Sequence, residues 1–242
     1  MISLKSDLLR RARHFLRTIS QPSEITLSGV QLGFPDNISA KLRDALYRED
    51  YELNELHALH ALLKPGDRVL DVGSSIGFLT ISACKKVGAE NVVAIEANPL
   101  ITVLARKNFE RNGVSPTLYV GMAAANTSEN RKDFYVYDDF WSSSEISRKG
   151  NSGEQRIECE VIPVNSVIDK HNINVLICDI EGGEVLLLPN LNLSTLKTLI
   201  IEFHPEISSQ EEIRSTILYI LNAGFSINIR ASTGDTLAFT HI

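Results

Sequence analysis

Asp71-Val72-Gly73-Ser74-Ser75-Ile76-Gly77-Phe78 follows the apolar run Val69-Leu70 and leads into Leu79-Thr80-Ile81-Ser82-Ala83. A short buried strand over residues 68–72 thus ends in an acid and a glycine turn, and a helix over residues 78–87 begins past the second glycine. In a doubly wound α/β sheet, that first strand-to-helix turn opens the ligand crevice. Gly73 and Gly77 let the chain turn tightly and approach a ligand, and the helix amides beyond offer donors to an anionic group. No Gly-Lys-Ser/Thr follows, which excludes a Walker loop, and Ser75 stands where a dinucleotide fingerprint has its second glycine. Glu96 ends the next strand, 19 residues past Gly77, where a carboxylate accepts both hydroxyls of a ribose. Turn and carboxylate together predict a nucleoside-containing cofactor.

Outward from this unit, helical and strand patterns alternate as βαβ units do in a mainly parallel sheet. Residues 51–63 read as a helix stopped by Pro65-Gly66. Strands are predicted over 91–96, 118–122, 174–179 and 198–202, and helices over 100–112 and from Ser209 to Ala223, each closed by a glycine, Gly113 and Gly224. Residues 133–137 and 156–164 alternate like paired antiparallel strands around a polar stretch, 142–155, which predicts a hairpin insertion. Residues 225–229 and 236–239 predict a terminal hairpin. The division expected is a helical extension over 1–44 and a catalytic domain over 45–242, with the hairpin or lid insertion at about 126–164.

The 242 residues are 43% hydrophobic and 22% charged, ordinary for a globular α/β protein. No apolar run of 18 residues is present, so no membrane span is expected. Cys84, Cys159 and Cys178 are odd in number and far apart, which argues against disulfides and zinc and predicts a cytoplasmic protein. His57 and His60 lie at i and i+3 on a helix without a third ligand, so no metal is expected. Residues 1–20 sum to +4 while the whole chain carries −6. An acidic body without a basic stripe argues against nucleic acid. Leu4, Leu8, Phe15 and Ile19 share one face of the basic segment. It reads as a helix packing on the domain or on a second subunit in a homodimer; a membrane-surface anchor and a transit peptide are the other readings.

Several blocks together resemble the FkbM family of S-adenosylmethionine-dependent methyltransferases, over roughly residues 45–205. They are Tyr51-Glu52, Lys64-Pro-Gly-Asp67, Asp71 to Gly77, Glu96-Ala-Asn-Pro99, Asn108 with Asn112-Gly113, Asp179-Ile-Glu-Gly-Gly-Glu184 and Glu202-Phe-His204-Pro205. The family often has Ala-Asn at Ser74-Ser75 and Ala at Gly183, both small changes. The resemblance implies the class I methyltransferase fold, Rossmann-like, with seven strands of which the last is antiparallel. It also implies that Asp71, Gly73, Gly77 and Glu96 hold S-adenosylmethionine, released as S-adenosylhomocysteine. Ser75, Asn98 and Asp179 are expected beside them, and Met122 and Ala123 against the adenine, where no acid stands.

Methyl transfer to an alcohol requires alignment and a base. Asp179, Glu181 and His204 are the candidates at the strand ends, and His204 is expected to titrate nearest the working pH. Phe134, Tyr135, Tyr137, Phe140 and Trp141 cluster beside Asp138 and Asp139. Aromatic faces with carboxylates suit a sugar, and Trp141, Tyr137 and Asp139 are the expected acceptor contacts. The expected activity is O-methylation of a sugar hydroxyl on a glycan, glycolipid or natural product. Alternatives are a carboxylate or amine methyltransferase of the same fold and a noncatalytic cofactor-binding module that recruits a partner, with a nicotinamide-dependent oxidoreductase last.

Overall fold

The computed structural model describes residues 4–126, 130–136 and 155–241. In chain order the elements begin with α1 (Leu4–Ser20), β1 (Glu24–Leu27), β2 (Val30–Gly33), α2 (Ala40–Arg48) and α3 (Leu53–Leu62). Next come β3 (Val69–Val72), α4 (Phe78–Val87), β4 (Val92–Glu96), α5 (Pro99–Arg111), β5 (Thr117–Val120) and β6 (Met122–Ala124). The rest are β7 (Arg131–Val136), β8 (Gln155–Pro163), α6 (Val164–His171), β9 (Val175–Cys178), α7 (Glu184–Leu187), β10 (Thr198–Glu202), α8 (Gln210–Asn222), β11 (Phe225–Ile227) and β12 (Thr236–His241).

Seven strands form one sheet in the order β11-β12-β10-β9-β3-β4-β5. β10, β9, β3, β4 and β5 run parallel, and β12 lies antiparallel to β10 and β11. The central strands β3, β4 and β9 are buried along their whole length because both faces are covered, and apart from Asp71 and Glu96 they are apolar. Alternate residues feed two cores: Val69, Val175 and Ile200 enter one with α3 and α4, while Leu70, Leu176 and Leu199 enter the other with α6 and α8. The Ser209–Glu212 capping box opens α8 as the sequence predicts. Two sequence expectations change. The third strand stops at Val120; past Gly121, where the chain passes so close to β8 that a Cβ would lie 2.4 Å from the Glu160 carbonyl oxygen, β6 joins β8 and β7 in a separate three-stranded sheet. Val164, read as the end of a strand, begins α6.

Residues 24–44 are more than a helical extension. The β1–β2 hairpin delivers Ile25, Leu27, Val30 and Leu32 to the same core as α3 and α4, and side chains of α5 tie it down. Asn112 receives the Gln31 amide at 3.0 Å and donates to its carbonyl at 2.7 Å. Asn108, fully buried, accepts from the Gly33 amide at 2.9 Å and donates to the Ile76 carbonyl at 3.0 Å, bridging hairpin and glycine turn. Asn108→Ala leaves both buried partners unsatisfied and should cost about 2–4 kcal/mol. A lower urea midpoint at unchanged slope would register this; an unchanged midpoint would deny the bridge its role.

α1 packs with its polar face inward. Arg10 pairs with Asp50 at 2.8 Å, Arg13 and Arg17 with Glu49 at 2.8 and 2.9 Å, and His14 with Asp44 at 3.0 Å. Leu8, Leu9, Phe15, Leu16 and Ile19 lie on the opposite, exposed face. Among the described residues no helix is long and apolar enough to cross a membrane.

Candidate active site

The carboxyl ends of β3, β4, β9 and β10 open into a cavity of about 650 Å³, the size of a small-molecule site. β3 runs directly into Gly73, whose φ of +88° suits glycine alone; a Cβ there would fall 1.7 Å from the carbonyl oxygen of Asp179, the residue just past β9. Glu96 stands across the turn, 8% exposed. Its Oε2 accepts the Ser75 amide at 2.9 Å and its Oε1 the Asn98 amide at 2.8 Å. Burial raises its pKa and these amides pull it back, leaving a net rise. Gly73, Ser75, Glu96, Met122, Ala123 and Asp179 all line the cavity.

Asp71, Gly77 and Asn98, expected with them, do not line it. Asp71 is buried and accepts the Thr80 hydroxyl at 2.5 Å, tying β3 to α4. Burial raises its pKa, which Thr80 offsets and Glu96 augments, to about 6. Gly77 has φ +88° and gives way to the Phe109 ring, 2.6 Å from where a Cβ would be. Asn98 caps α5, its Oδ1 accepting the Leu100 amide at 3.0 Å. All three shape the turn from behind.

The other wall is built on the segment after β9 and the end of β10. His204 is 7% exposed. Its Nε2 lies 3.5 Å from Asp179 Oδ1 and its Nδ1 3.3 Å from Glu184 Oε1. Glu184 is wholly buried, and its Oε1 accepts the Ile180 amide at 2.7 Å. Burial alone would lower the pKa of His204; the adjoining Glu184, with Glu181 and Glu202, reverses this and raises it to about 9. Glu184, 3.3 Å from Nδ1, acts on the ring both as an adjoining acceptor and by its charge. His204 is therefore an imidazolium at neutral pH, where the sequence predicts a ring titrating near it. Asp179 moves the other way from an ordinary carboxylate: burial, then Glu202 and Glu52, push its pKa well up.

Asp179, Glu184 and His204 also offer donor atoms within 4.8 Å of one another, a spacing that would admit one divalent cation. The sequence reading weighed only His57 and His60 and expected no metal; His57 lies 3.1 Å from the Arg230 carbonyl oxygen. Glu52, Glu55 and Glu202 line the cavity as well, a grouping the sequence did not reveal. Glu202 ends a parallel strand as Glu96 does, and that was the available signal. Tyr137, Asp139 and Trp141, the expected acceptor contacts, lie outside the described residues.

A seven-stranded sheet in this order, with a glycine turn after its first strand and a carboxylate after its second, defines a class I methyltransferase. Within that class the chain belongs to the FkbM methyltransferase family: the family's profile, described as "Methyltransferase FkbM domain", matches residues 71–227. Shorter stretches resemble other methyltransferases. Protein-L-isoaspartate O-methyltransferase 1 of Arabidopsis thaliana is 38% identical over 87 residues, 34% of this chain and 38% of that protein. Ribosomal protein L11 methyltransferase of Symbiobacterium thermophilum is 48% identical over 56 residues, 23% of this chain and 18% of that protein. The chain thus spans well under half the length of these curated relatives. Among solved structures, a methyltransferase from Pyrococcus furiosus superposes with a TM-score of 0.48 at 14% identity, covering 96% of this chain and 98% of that one. Magnesium protoporphyrin IX methyltransferase from Synechocystis gives 0.49 at 15%, covering 86% and 87%.

S-adenosylmethionine is the cofactor of this chain, and the residues present suit it. Glu96 keeps lone pairs beyond those its two amides occupy. Ile101, Ala97 and Met122 form apolar wall beside it. The acid-rich remainder complements a ligand that carries a sulfonium and an ammonium.

Proposed function

We propose that the chain transfers the methyl group to a hydroxyl of a sugar, on a glycan, a glycolipid or a natural product. The observation that carries this reading is the row Asp179–His204–Glu184, in which Asp179 and His204 line the cavity and Glu184 is buried behind them, a proton-handling group that a noncatalytic binding module would not require. The cofactor supplies an electrophilic methyl on its sulfonium. Glu96 accepts the ribose hydroxyls, held at the right angle by the Ser75 and Asn98 amides, and the Met122–Ala123 segment packs on the adenine. Asp179 takes the proton of the acceptor hydroxyl, because burial among other carboxylates has made it a stronger base than an exposed one. His204 positions Asp179 and steadies its charge, and Glu184 holds His204 as a cation. Glu181 lines the cavity with φ +53° and orders the turn that carries Asp179.

Carboxylate walls accept hydrogen bonds from a polyol. The same walls repel an anionic acceptor, which disfavours carboxylate methylation. An amine acceptor is the second reading, favoured by that same acidity. Mass spectrometry after incubation with isotopically labelled cofactor and a glycan and glycolipid panel separates them: a labelled methyl ether is the expected product. Methyl esters or N-methyl products alone would replace the reading.

If Glu96 binds the ribose, Glu96→Ala should weaken S-adenosylhomocysteine binding by about 1.5–3 kcal/mol. Calorimetry measures this, and unchanged affinity would remove Glu96 from the cofactor site.

A further inference from the structure

We infer that α1 is a membrane-surface helix whose outward face seats in the interfacial layer of an anionic bilayer; the inference stands whichever acceptor atom is methylated. A surface helix ordinarily turns its apolar stripe to the core and its charges to water. α1 does the reverse. Arg10, His14 and Arg17 point inward, tied to Asp50, Asp44 and Glu49, while Leu8, Leu9, Phe15, Leu16 and Ile19 are 59–70% exposed. At helical spacing Leu8, Ala12, Phe15 and Ile19 make the centre of one stripe, and Leu9 and Leu16 widen it. A contiguous apolar patch that the body of the protein leaves uncovered marks a surface that something else covers.

Area, shape and charge select a bilayer over a second copy of the chain. At about 100 Å² for each side chain, the five exposed residues would bury roughly 500 Å², short of the roughly 800 Å² per partner in a standard protein interface. The stripe is also broader than the narrow seam along which two helices of a coiled coil pack. Its borders are basic. Arg11, one turn before Phe15, is exposed, and on the other border Arg13 is half exposed although it also pairs with Glu49. No acid occurs from Leu8 to Ser20. A two-fold contact between copies would set these basic borders against each other without an acid to answer them, whereas anionic headgroups attract them. An apolar face of leucine, isoleucine and phenylalanine with arginine along its edges is the pattern of helices that lie in the plane of a membrane.

Co-sedimentation of the full chain with vesicles tests this, using phosphatidylcholine alone and phosphatidylcholine mixed with phosphatidylglycerol at about 7:3. Binding should be about tenfold or more tighter to the anionic vesicles and should weaken as salt is added. The double variant Phe15→Ser/Leu16→Ser should lower it about tenfold or more. Both side chains are exposed, so the fold is kept and S-adenosylhomocysteine affinity should match wild type. Arg11→Glu, which leaves the apolar face intact, should cut the preference for anionic vesicles to about threefold or less. Leu218→Ser, at an exposed leucine of α8, should change nothing. Failure of the wild type to bind anionic vesicles, equal binding by the double variant, or indifference to phosphatidylglycerol overturns the inference. So does a dimer in sedimentation velocity that the double variant dissociates, which would assign the face to a second copy.

Discussion

Gly73→Ala is expected to abolish cofactor binding and to destabilise the fold. The added methyl would lie 1.7 Å from the Asp179 carbonyl oxygen, on a backbone at φ +88°. The left-handed conformation alone costs a residue with a Cβ about 1–2 kcal/mol. The steric conflict is worse, because it is met only by separating β3 from the segment after β9, the pair that supplies both walls of the crevice. A loss of about 3 kcal/mol or more in stability is expected, with S-adenosylhomocysteine affinity reduced at least about 100-fold, an alignment loss of the kind that small misplacements produce. Gly113→Ala is the control: its φ is +64°, and a Cβ there meets nothing within 4 Å. It should cost about 1 kcal/mol and leave binding unchanged. Urea titration and calorimetry on both variants decide the matter, and wild-type binding by Gly73→Ala would refute the close-approach argument.

Asp179→Asn should lower turnover by about 10²–10⁴-fold, the range a positioned base contributes, with cofactor affinity less affected. The pH profile carries further information. Asp179 acts ionised and burial among carboxylates holds its pKa well above the usual carboxylate range, so the rate should rise with pH through that raised ionisation. His204 acts as a cation, so the rate should fall as it loses its proton, near about 9 in the cofactor-free protein. Glu184 raises that pKa; Glu184→Gln should therefore move the alkaline limb down, towards the ordinary histidine value of about 6.5. His204→Ala should remove the limb and cut turnover by about 10²-fold. The opposite pattern, a rate that climbs through a histidine ionisation and survives Asp179→Asn, would return the base to His204, where sequence alone places it.

The strand-to-helix turn at Gly73, the capping box at Ser209 and the terminal hairpin were legible in the sequence because each is specified by neighbours within a few residues. The behaviour of His204 was not. It depends on Glu184, which reaches it from another part of the fold with its carboxylate wholly enclosed, and enclosure turns an ordinary imidazole into a lasting cation. Asp71 shows the limit from the other side. Its place before the glycine turn was evident, but the choice between facing the ligand and facing Thr80 is made by the packing of α4 on β3. Glu52 and Glu202 stand 150 positions apart in the chain, and no local pattern announces that they share a wall. The β1–β2 hairpin escaped because its half-buried strands, EITL and VQLG, mix polar with apolar residues and lack the continuous apolar run that marks the equally short β9.

Asp50 lines the mouth of the cavity and is also the acid that Arg10 of α1 grips. The helix at the start of the chain is thus part of the electrical environment of the catalytic chamber. Removing it would add an uncompensated negative charge to the rim, and dissolved electrolyte would loosen the same link by degrees, since both partners are water-exposed and ion pairs of that kind are screened. Trimming residues 4–20 to obtain a tidier catalytic fragment would therefore yield an enzyme with a different entrance, biased further towards positively charged molecules.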